Sequence, residues 1–597
     1  MDVPKTAKGQ TWSLNLVGPI DNEERLVLIL VALAGIIAVA GRLASAWNGH
    51  GEFTDDAYYY IVTARNYVAT GLISYDGLHP TNGYHPLWFF LLVGAYWLIG
   101  PDAGLDLQIF TVSVLLAAFF LLSLGAGAHF WLAARRRNEP WAWGFMLLLI
   151  FLLSPFGQNY QTDGLESTAV VAAFILVAGF FIADRTLPLA LAFLFLFLAR
   201  LDTLVFIVFP LLVFLFWSRG RRGAPLVAAA SVPALAAFLA YSASNYLRFG
   251  HIKPISGELK SSFPALSPHF SFLLDVPLRI LQPGDPAGMK LRLLVSPGLD
   301  HLVVFAVAAV VLLLLLRPAR PERDRLAAFT AVLVILVLNL LLFQKWEKGI
   351  EPWYLSLPQV LSFFVLGALG GAWIAPREQA WSPWLGRAAV ALLGVMTIYQ
   401  AVAAWSLWAG SRESKERQFL APGSALASES ETFLLIGFLI HGAAPTEVVA
   451  TTESGTISFW SRRRVISLDG LINDFEYQEY LRDGRLGEYL RENRVRYLMV
   501  GWWMRNQPYM RERCEPMYRC RINPAAVAGG NYPPAEFYVY SHMYHQYSDR
   551  ILLCPGQEVY RSKLLKDGVV DCVIVIYDLK RPCGTRTADP TPIYPGD

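Results

Sequence analysis

Two adjacent acids, Asp55 and Asp56, follow the first long apolar segment of the chain and open a polar loop. Ionisable groups near bilayer depth are costly and often mark substrate paths, so paired carboxylates at a membrane edge indicate chemistry. A carboxylate there can act as a general base that takes the proton of an acceptor hydroxyl. The structural alternative is that Asp55 or Thr54 only caps the helix that begins at this point.

Further acids and cations lie in later loops. Asp163 and Glu166 share the loop Thr162-Asp163-Gly164-Leu165-Glu166, while Arg200 and Asp202 occupy a short turn. If the leaving group of the reaction is a lipid phosphate, cations must lie nearby to offset the negative charge that develops on it. Arg200 and Asp202 could instead be an ion pair that only closes the turn. Candidate partners for a phosphate are His85, Arg200, Lys260, Lys345 and Lys348.

The segments between these loops are apolar enough to span a bilayer. Of the 597 residues, 55% are hydrophobic and 16% charged, and the net charge of +3 gives no argument for a nucleic-acid partner. The sequence therefore predicts a polytopic α-helical membrane protein with about eleven transmembrane helices. The predicted spans are residues 25–46, 105–134, 140–155, 167–184, 187–199, 203–217, 224–247, 301–316, 325–343, 355–374 and 385–408.

Arginine clusters orient these spans. The groups at 135–137, 219–222 and 317–325 should remain in the cytoplasm, because basic loops resist translocation. The amino terminus is then inside and the carboxy terminus outside. At ~1.5 Å per residue, the apolar segment 87–100 is too short for a crossing, so we interpret it as a juxtamembrane helix. This topology brings to one outer face the loops 55–85 and 158–166, the turn 200–202 and the loop 251–300.

The first outer loop contains side chains suited to a sugar. After Asp55, apolar residues recur at helical spacing, which predicts an amphipathic helix along the membrane surface. The stretch 77–88 that follows is polar and aromatic. The candidate substrate-binding residues are Tyr59, His79, Asn82 and Asp202.

Residues 1–410 form the predicted membrane module, and residues 411–597 a predicted extracytoplasmic α/β domain. Segments 448–452, 464–468 and 496–500 have the composition of buried strands, and residues 474–493 have helical periodicity, which favours a parallel sheet. A β-rich tail follows near residues 530–580. Trp460, Trp502, Trp503 and Tyr509 could stack on sugar rings or belong to the core. No Walker loop or GxGxxG pattern precedes a helix, so nucleotide binding is unsupported.

All five cysteines lie in this last part of the chain. Their spacings contain no CxxC pattern, which disfavours zinc, and an oxidising compartment would suit one or two disulfides. Reduced, partly buried thiols in a cytosolic domain are the alternative. The residues are Cys514, Cys520, Cys554, Cys572 and Cys583.

The chain resembles the GT-C superfamily of polyprenyl-phosphate-dependent glycosyltransferases, in particular the protein mannosyltransferase and lipid A aminoarabinose transferase branch. The resemblance covers the membrane region broadly. It rests on an acid after the first span in Asp55-Asp56-Ala57-Tyr58-Tyr59, the helix start Pro86-Leu87-Trp88, and the acid in the loop 162–166. It implies a catalytic base at Asp55, with Asp56 as a possible substitute, and a second-loop acid at Asp163, with Glu166 close by.

The chain departs from this branch at two positions. Where the aminoarabinose transferases have a lysine for the donor phosphate, this chain has His85, and the family's arginine before the second acid is replaced by Gln161 and Thr162. Phosphate binding would then fall to Lys260 or Arg200.

The resemblance implies an inverting transfer from a polyprenyl-phosphate sugar to an extracytoplasmic hydroxyl of a glycan, lipid or protein. It implies a bacterial inner-membrane location and no required cofactor or metal. Asp55, Asp56, Asp163 and Glu166 could alternatively hold a divalent cation.

Two other functions fit the same features. A transporter or flippase for lipid-linked sugars would share the spans and acids, although the sequence shows no internal repeat of the kind typical of transporters. A non-catalytic assembly protein could bind cell-wall glycan through its outer domain.

Overall fold

The computed structural model describes most of the chain. The described residues are 19–51, 53–155, 157, 162–219, 224–262, 265, 321–344, 354, 356–374, 383–412, 414, 431–452, 454–505, 535–537, 539–541, 543–544, 546–561, 565–566 and 570–582. The predicted span 301–316, Lys345, Lys348, Tyr509 and most of the loop 251–300 lie outside them.

Apolar helices make up the part of the chain before residue 411. Every predicted span within the described residues coincides with a helix. The helices are α1 Asn22–Ala46, α2 Asp55–Thr70, α3 Pro86–Ile99, α4 Leu105–Arg136, α5 Trp141–Leu153, α6 Ser167–Ile182, α7 Thr186–Ala199, a π-helical turn Leu204–Val208, α8 Phe209–Arg219, α9 Ala224–Phe249, α10 Ile255–Lys260, α11 Pro321–Leu342, α12 Ser356–Ile374 and α13 Pro383–Gly410.

Within the described residues, four helices are long and apolar enough to cross a membrane: α1, α4, α9 and residues Gly386–Gly410 of α13. Their length and composition support a membrane location. Several of the shorter apolar helices pack with them around one buried core. The total of about eleven crossings stays a prediction.

The segment predicted to form the first outer loop consists of α2, α3 and the turn between them. Thr54 precedes α2 as its N-cap residue, but its side chain makes no capping hydrogen bond. Helix α3 has 14 residues, and Trp97 and Leu98 at its end are 69% and 88% exposed. A short helix with an apolar, exposed end fits the predicted juxtamembrane position.

The chain after residue 430 contains α14 Glu431–His441 and a six-stranded sheet. Strands β1 Val448–Thr451 and β2 Arg464–Ser467 pair in parallel, and β1 also pairs in parallel with β3 Val495–Arg505. The remaining strands of this sheet, β8 Glu558–Arg561, β9 Leu565–Lys566 and β10 Val570–Asp578, add antiparallel to β3 through β10. The sheet is therefore mixed, because its last strands return beside β3.

Short helices and small strand pairs surround this sheet. The predicted helix 474–493 is two helices, since Gly484 at φ +66° interrupts it. The additional elements are α15 Gly455–Ser461, α16 Phe475–Arg482, α17 Leu486–Glu492, β4 Ala535–Phe537, β5 Tyr540–Ser541, β6 Gln546–Tyr547 and β7 Ile551–Leu553. The division at residue 410 and the disulfides stay predictions, since Cys514, Cys520 and Cys583 lie outside the described residues.

Helices α5 and α12 approach closely through glycines. A Cβ atom on Gly367 would lie 2.3 Å from the carbonyl oxygen of Trp143, and one on Gly371 would lie 2.8 Å from the carbonyl oxygen of Pro140. The spacing of four residues is the small-xxx-small pattern of membrane helix pairs.

We expect Gly367→Ala to destabilise the protein by about 1–3 kcal/mol, because the methyl group would meet backbone that cannot rotate away. A Cβ atom on Gly370 of the same helix has nothing within 4 Å, so Gly370→Ala is the matched control. The measurement is the midpoint of thermal unfolding in detergent. Equal midpoints for the two variants would contradict the close helix contact.

Candidate active site

A cavity of about 420 Å³ lies where the outer loops meet the membrane helices. Asp56 comes from the start of α2, His85 from the residue before α3, and Glu166 from the residue before α6. Arg200 follows α7, and Lys260 ends α10. The structure thus brings residues from all four predicted loop groups to one cavity.

One part of the cavity wall consists of apolar side chains. Phe197 comes from α7, Val205 and Phe206 from the π-helical turn, and Phe238 from α9. Single π-helical turns within helices are frequent at functional sites. The cavity therefore joins a charged rim to an apolar groove between helices.

The charged rim is held by paired side chains. Lys260 Nζ lies 3.1 Å from Asp56 Oδ2, and Arg200 Nε lies 3.1 Å from Asp202 Oδ1. The Tyr354 ring contacts both cations, with its centroid 5.0 Å from Arg200 Cζ and 5.7 Å from Lys260 Nζ. Burial by itself would lower the pKa of Lys260, but Asp56 and Tyr354 raise it above its usual value. Lys260 is therefore a cation at neutral pH.

His85 is held in one tautomer. Its Nδ1 accepts the backbone N–H of Leu201 at 3.4 Å, and its Nε2 lies 3.5 Å from Glu166 Oε1. Burial lowers the pKa of the imidazole, so at neutral pH the ring is neutral with its proton on Nε2. Glu166 Oε2 is buried and accepts no hydrogen bond from the described residues.

Asp55 faces away from this rim. Its Oδ2 accepts the N–H of Gly455 at 3.1 Å, and its Oδ1 accepts the N–H of Thr456 at 2.7 Å. Both donors belong to the first turn of α15. Asp55 is not among the described residues that line the cavity, whereas Asp56 is.

Asp163 positions the backbone segments next to the site. Its backbone oxygen accepts hydrogen bonds from the N–H and hydroxyl of Thr54, and its Oδ1 accepts the N–H of Leu165. These bonds join the second outer loop to the start of α2. Burial raises the pKa of the Asp163 carboxyl to about 8, so it is mainly protonated at neutral pH.

The predicted substrate-binding residues divide into two groups. Tyr59 and Asp202 line the cavity. The described cavity wall does not include His79, which pairs with Asp76 and packs on Tyr489, or Asn82. Asn82 Oδ1 accepts the first N–H of α10 at 2.9 Å, so it holds the helix that carries Lys260.

Sequence reasoning missed several residues of the site, of which Gln344, Tyr354 and Asp469 are examples. Gln344 and Tyr354 line the cavity, but they flank segments with no pattern that singled them out. Asp469 follows β2 and accepts the hydroxyl of Tyr59 at 2.6 Å. Burial raises the pKa of Asp469. Its position directly after a strand was the available signal, since the ends of parallel strands commonly carry site residues.

A second cavity of about 440 Å³ lies on the other side of α2. Tyr58 lines it from α2, and Thr456 and Trp460 line it from α15. The first turn of α2 therefore lies between two cavities.

No family model and no curated protein matches the sequence. Among solved structures the chain is similar to ArnT from Cupriavidus metallidurans bound to undecaprenyl phosphate, at 14% identity and a TM-score of 0.47 over 81% of this chain and 94% of that one. It is similar to the apo state of ArnT at 12% identity and a TM-score of 0.45, over 80% and 92%.

The chain is also similar to the archaeal oligosaccharyltransferase AglB from Archaeoglobus fulgidus, in complex with an inhibitory peptide and a dolichol-phosphate. The identity is 15% and the TM-score 0.30, over 79% of this chain and 69% of that one. The function proposed below rests on the residues of the site.

The raised pKa of Asp163 predicts a pH-dependent stability. The folded protein keeps a proton that the unfolded chain, with a usual pKa of 3.8, releases. The free energy of unfolding therefore falls as pH rises through the window from 3.8 to about 8, by at most about 1.4 kcal/mol per pH unit.

Asp163→Asn keeps an acceptor for Leu165 and removes this titration. We expect its thermal midpoint to fall less than that of the wild type when the pH is raised through the upper half of this window. Glu479→Gln, at an exposed position of α16, is the control and should follow the wild type. Parallel curves for Asp163→Asn and wild type would show that Asp163 is ionised throughout.

Proposed function

We propose that the protein is a membrane glycosyltransferase of the GT-C type that moves a sugar from a polyprenyl phosphate to an acceptor hydroxyl. The observation that carries this proposal is the amphiphilic cavity, which is lined both by cations and carboxylates and by apolar side chains of α7, the π-helical turn and α9. Such a cavity fits a ligand with an anionic head and a hydrocarbon tail. The motif resemblance in the first and second outer loops supports the same function.

The donor phosphate would lie near Arg200 and Lys260. Both cations contact Tyr354, so they lie at the same part of the rim. As the bond from the anomeric carbon to the phosphate oxygen breaks, the electron pair remains on phosphate, and these cations stabilise the added charge. Neutral His85, whose Nε2 lies 3.5 Å from Glu166 Oε1, would donate to an oxygen of the donor instead, and Glu166 Oε2, which accepts no hydrogen bond from the described residues, would accept one from a sugar hydroxyl.

The base would be Asp56. Its side chain is 25% exposed and lines the cavity, while both oxygens of Asp55 accept backbone N–H groups of α15. Asp56 would take the acceptor proton as the acceptor oxygen forms its bond to the anomeric carbon. Asp55 would hold the start of α2 through its hydrogen bonds to α15.

As part of this proposal, the arginine clusters support an outward-facing site, and the resemblance to the aminoarabinose transferase branch supports a bacterial inner membrane. No divalent metal is required in it. The sugar and the acceptor would be identified by mass spectrometry of lipid-linked sugars and surface glycans in cells without the protein, where donor should accumulate and one glycan residue should be missing.

We expect Asp56→Asn to lower the rate of transfer by roughly 10²–10⁴-fold, because the amide cannot accept the proton. The measurement is movement of label from metabolically labelled lipid-linked sugar to the acceptor fraction in isolated membranes. Glu258→Gln, outside the described cavity wall, should keep the wild-type rate. Full activity of Asp56→Asn together with an inactive Asp55→Asn would assign the base to Asp55 instead.

The apolar groove gives a separate prediction. Val205→Trp should weaken the binding of undecaprenyl phosphate about tenfold or more, because the indole would fill space meant for the tail. Val213 of α8 is 50% exposed, close to the 43% of Val205, but does not line the described cavity. Val213→Trp is therefore the control, and equal binding by the two variants would contradict a tail in this groove.

A further inference from the structure

Because Asp56 forms an ion pair with Lys260, its carboxylate is not permanently available as a general base. Lys260 Nζ lies 3.1 Å from Asp56 Oδ2, so the ammonium group occupies one of the two carboxylate oxygens to which the acceptor hydroxyl could donate. A carboxylate that is bound to a cation is also a weaker base, since the cation stabilises its ionised form. The same lysine is a candidate ligand of the donor phosphate.

We propose that Lys260 exchanges Asp56 for the donor phosphate, so that binding of the lipid-linked donor releases the catalytic base. This inference rests on the proposed function and deepens it. Before the donor binds, Lys260 neutralises Asp56. Once an anionic phosphate enters the cavity, the ammonium group moves to it and leaves Asp56 free to accept a proton.

The structure gives Lys260 the freedom to make this move. It is the last residue of α10, a helix of six residues, and its side chain is 30% exposed. The ammonium group is a point charge on a flexible four-carbon stem, so it can change partner without a change of helix position. Asn82 holds the beginning of α10 through the N–H of Ile255, which keeps the backbone in place.

The other cation of the rim is held differently. Arg200 Nε lies 3.1 Å and 3.3 Å from the two oxygens of Asp202, and its Cζ lies 5.0 Å from the centre of the Tyr354 ring. These contacts fix the guanidinium group beside the same ring that Lys260 contacts. A phosphate attracted by Arg200 therefore arrives next to the lysine that is paired with Asp56.

The exchange requires the donor to bind before the acceptor is activated, and it needs no further reagent. The proton moves from the acceptor hydroxyl to Asp56, the acceptor oxygen bonds to the anomeric carbon, and the bond to the phosphate oxygen breaks. The released phosphate keeps the electron pair and the Lys260 ammonium. The released phosphate then leaves, Asp56 gives up the proton to solvent, and the ionised carboxylate pairs with Lys260 again until the next donor binds.

Binding of undecaprenyl phosphate to the purified protein in nanodiscs tests this exchange through a double-mutant cycle. If Asp56 competes with phosphate for Lys260, Asp56→Asn should tighten binding about fivefold in the wild-type background and by clearly less in the Lys260→Met background. Direct repulsion between Asp56 and phosphate is stronger in the Lys260→Met background, where no ammonium group neutralises the carboxylate, so repulsion alone would give the larger factor there and cannot explain a smaller one. Equal factors in both backgrounds would overturn the exchange.

Lys253→Met provides the matched control. Lys253 also lines the cavity, but its partner is Glu258 at 3.5 Å, so its loss should leave the effect of Asp56→Asn unchanged. If Lys260→Met does not fold, Lys260→Gln serves for the same cycle. Saturable binding by the wild type with equal factors refutes only the exchange, whereas the absence of saturable binding refutes the proposed function together with it.

Discussion

Charge neutralisation at the edge of an apolar bundle is the constraint on which this site depends. An isolated charge in such surroundings is costly, and a charge with a partner is much less so. The structure meets this constraint with the pairs Asp56–Lys260 and Arg200–Asp202. A charged ligand can compete with one member of each pair for the other. The contacts that stabilise the charged groups of the cavity therefore also make it suitable for an anionic headgroup.

The hydrogen bonds between the predicted first outer loop and residues 454–469 determine the geometry of the site. Asp55 accepts the first N–H groups of α15, Tyr59 donates to Asp469, and Tyr75 donates to the carbonyl oxygen of Ser454 at 2.7 Å. The first of these residues is adjacent to Asp56, Tyr59 lines the cavity, and Tyr75 belongs to the turn that follows α2. The part of the chain after residue 430 therefore belongs to the wall of the site and is more than a cover above it.

Local sequence patterns predicted the helices well, because apolar segments of this length leave few other structures. They also located Asp56, Glu166, Arg200 and Lys260, since charged residues between apolar segments must lie at the membrane edge. Such patterns could not identify the hydrogen-bond partners of Asp55 in α15. Asp55 and Asp56 are identical in type and adjacent in sequence, and only tertiary contacts show that one faces α15 and the other faces the cavity.

Asn82 and His79 illustrate the same limit, because a polar residue in a loop can bind a ligand or hold a neighbouring backbone group with equal ease. Tyr354 and Asp469 were missed for the opposite reason. Their importance comes from which charges lie beside them in space, and a single sequence contains no record of that.

The bond between Asp55 and Gly455 joins residues 400 positions apart. At a synthesis rate of about 5–20 residues per second, roughly 20–80 seconds separate the emergence of the acid from that of its partner. The helices that precede residue 411 can therefore form before this bond does, and the start of α2 gains its support from α15 only after residues 455 and 456 have been synthesised.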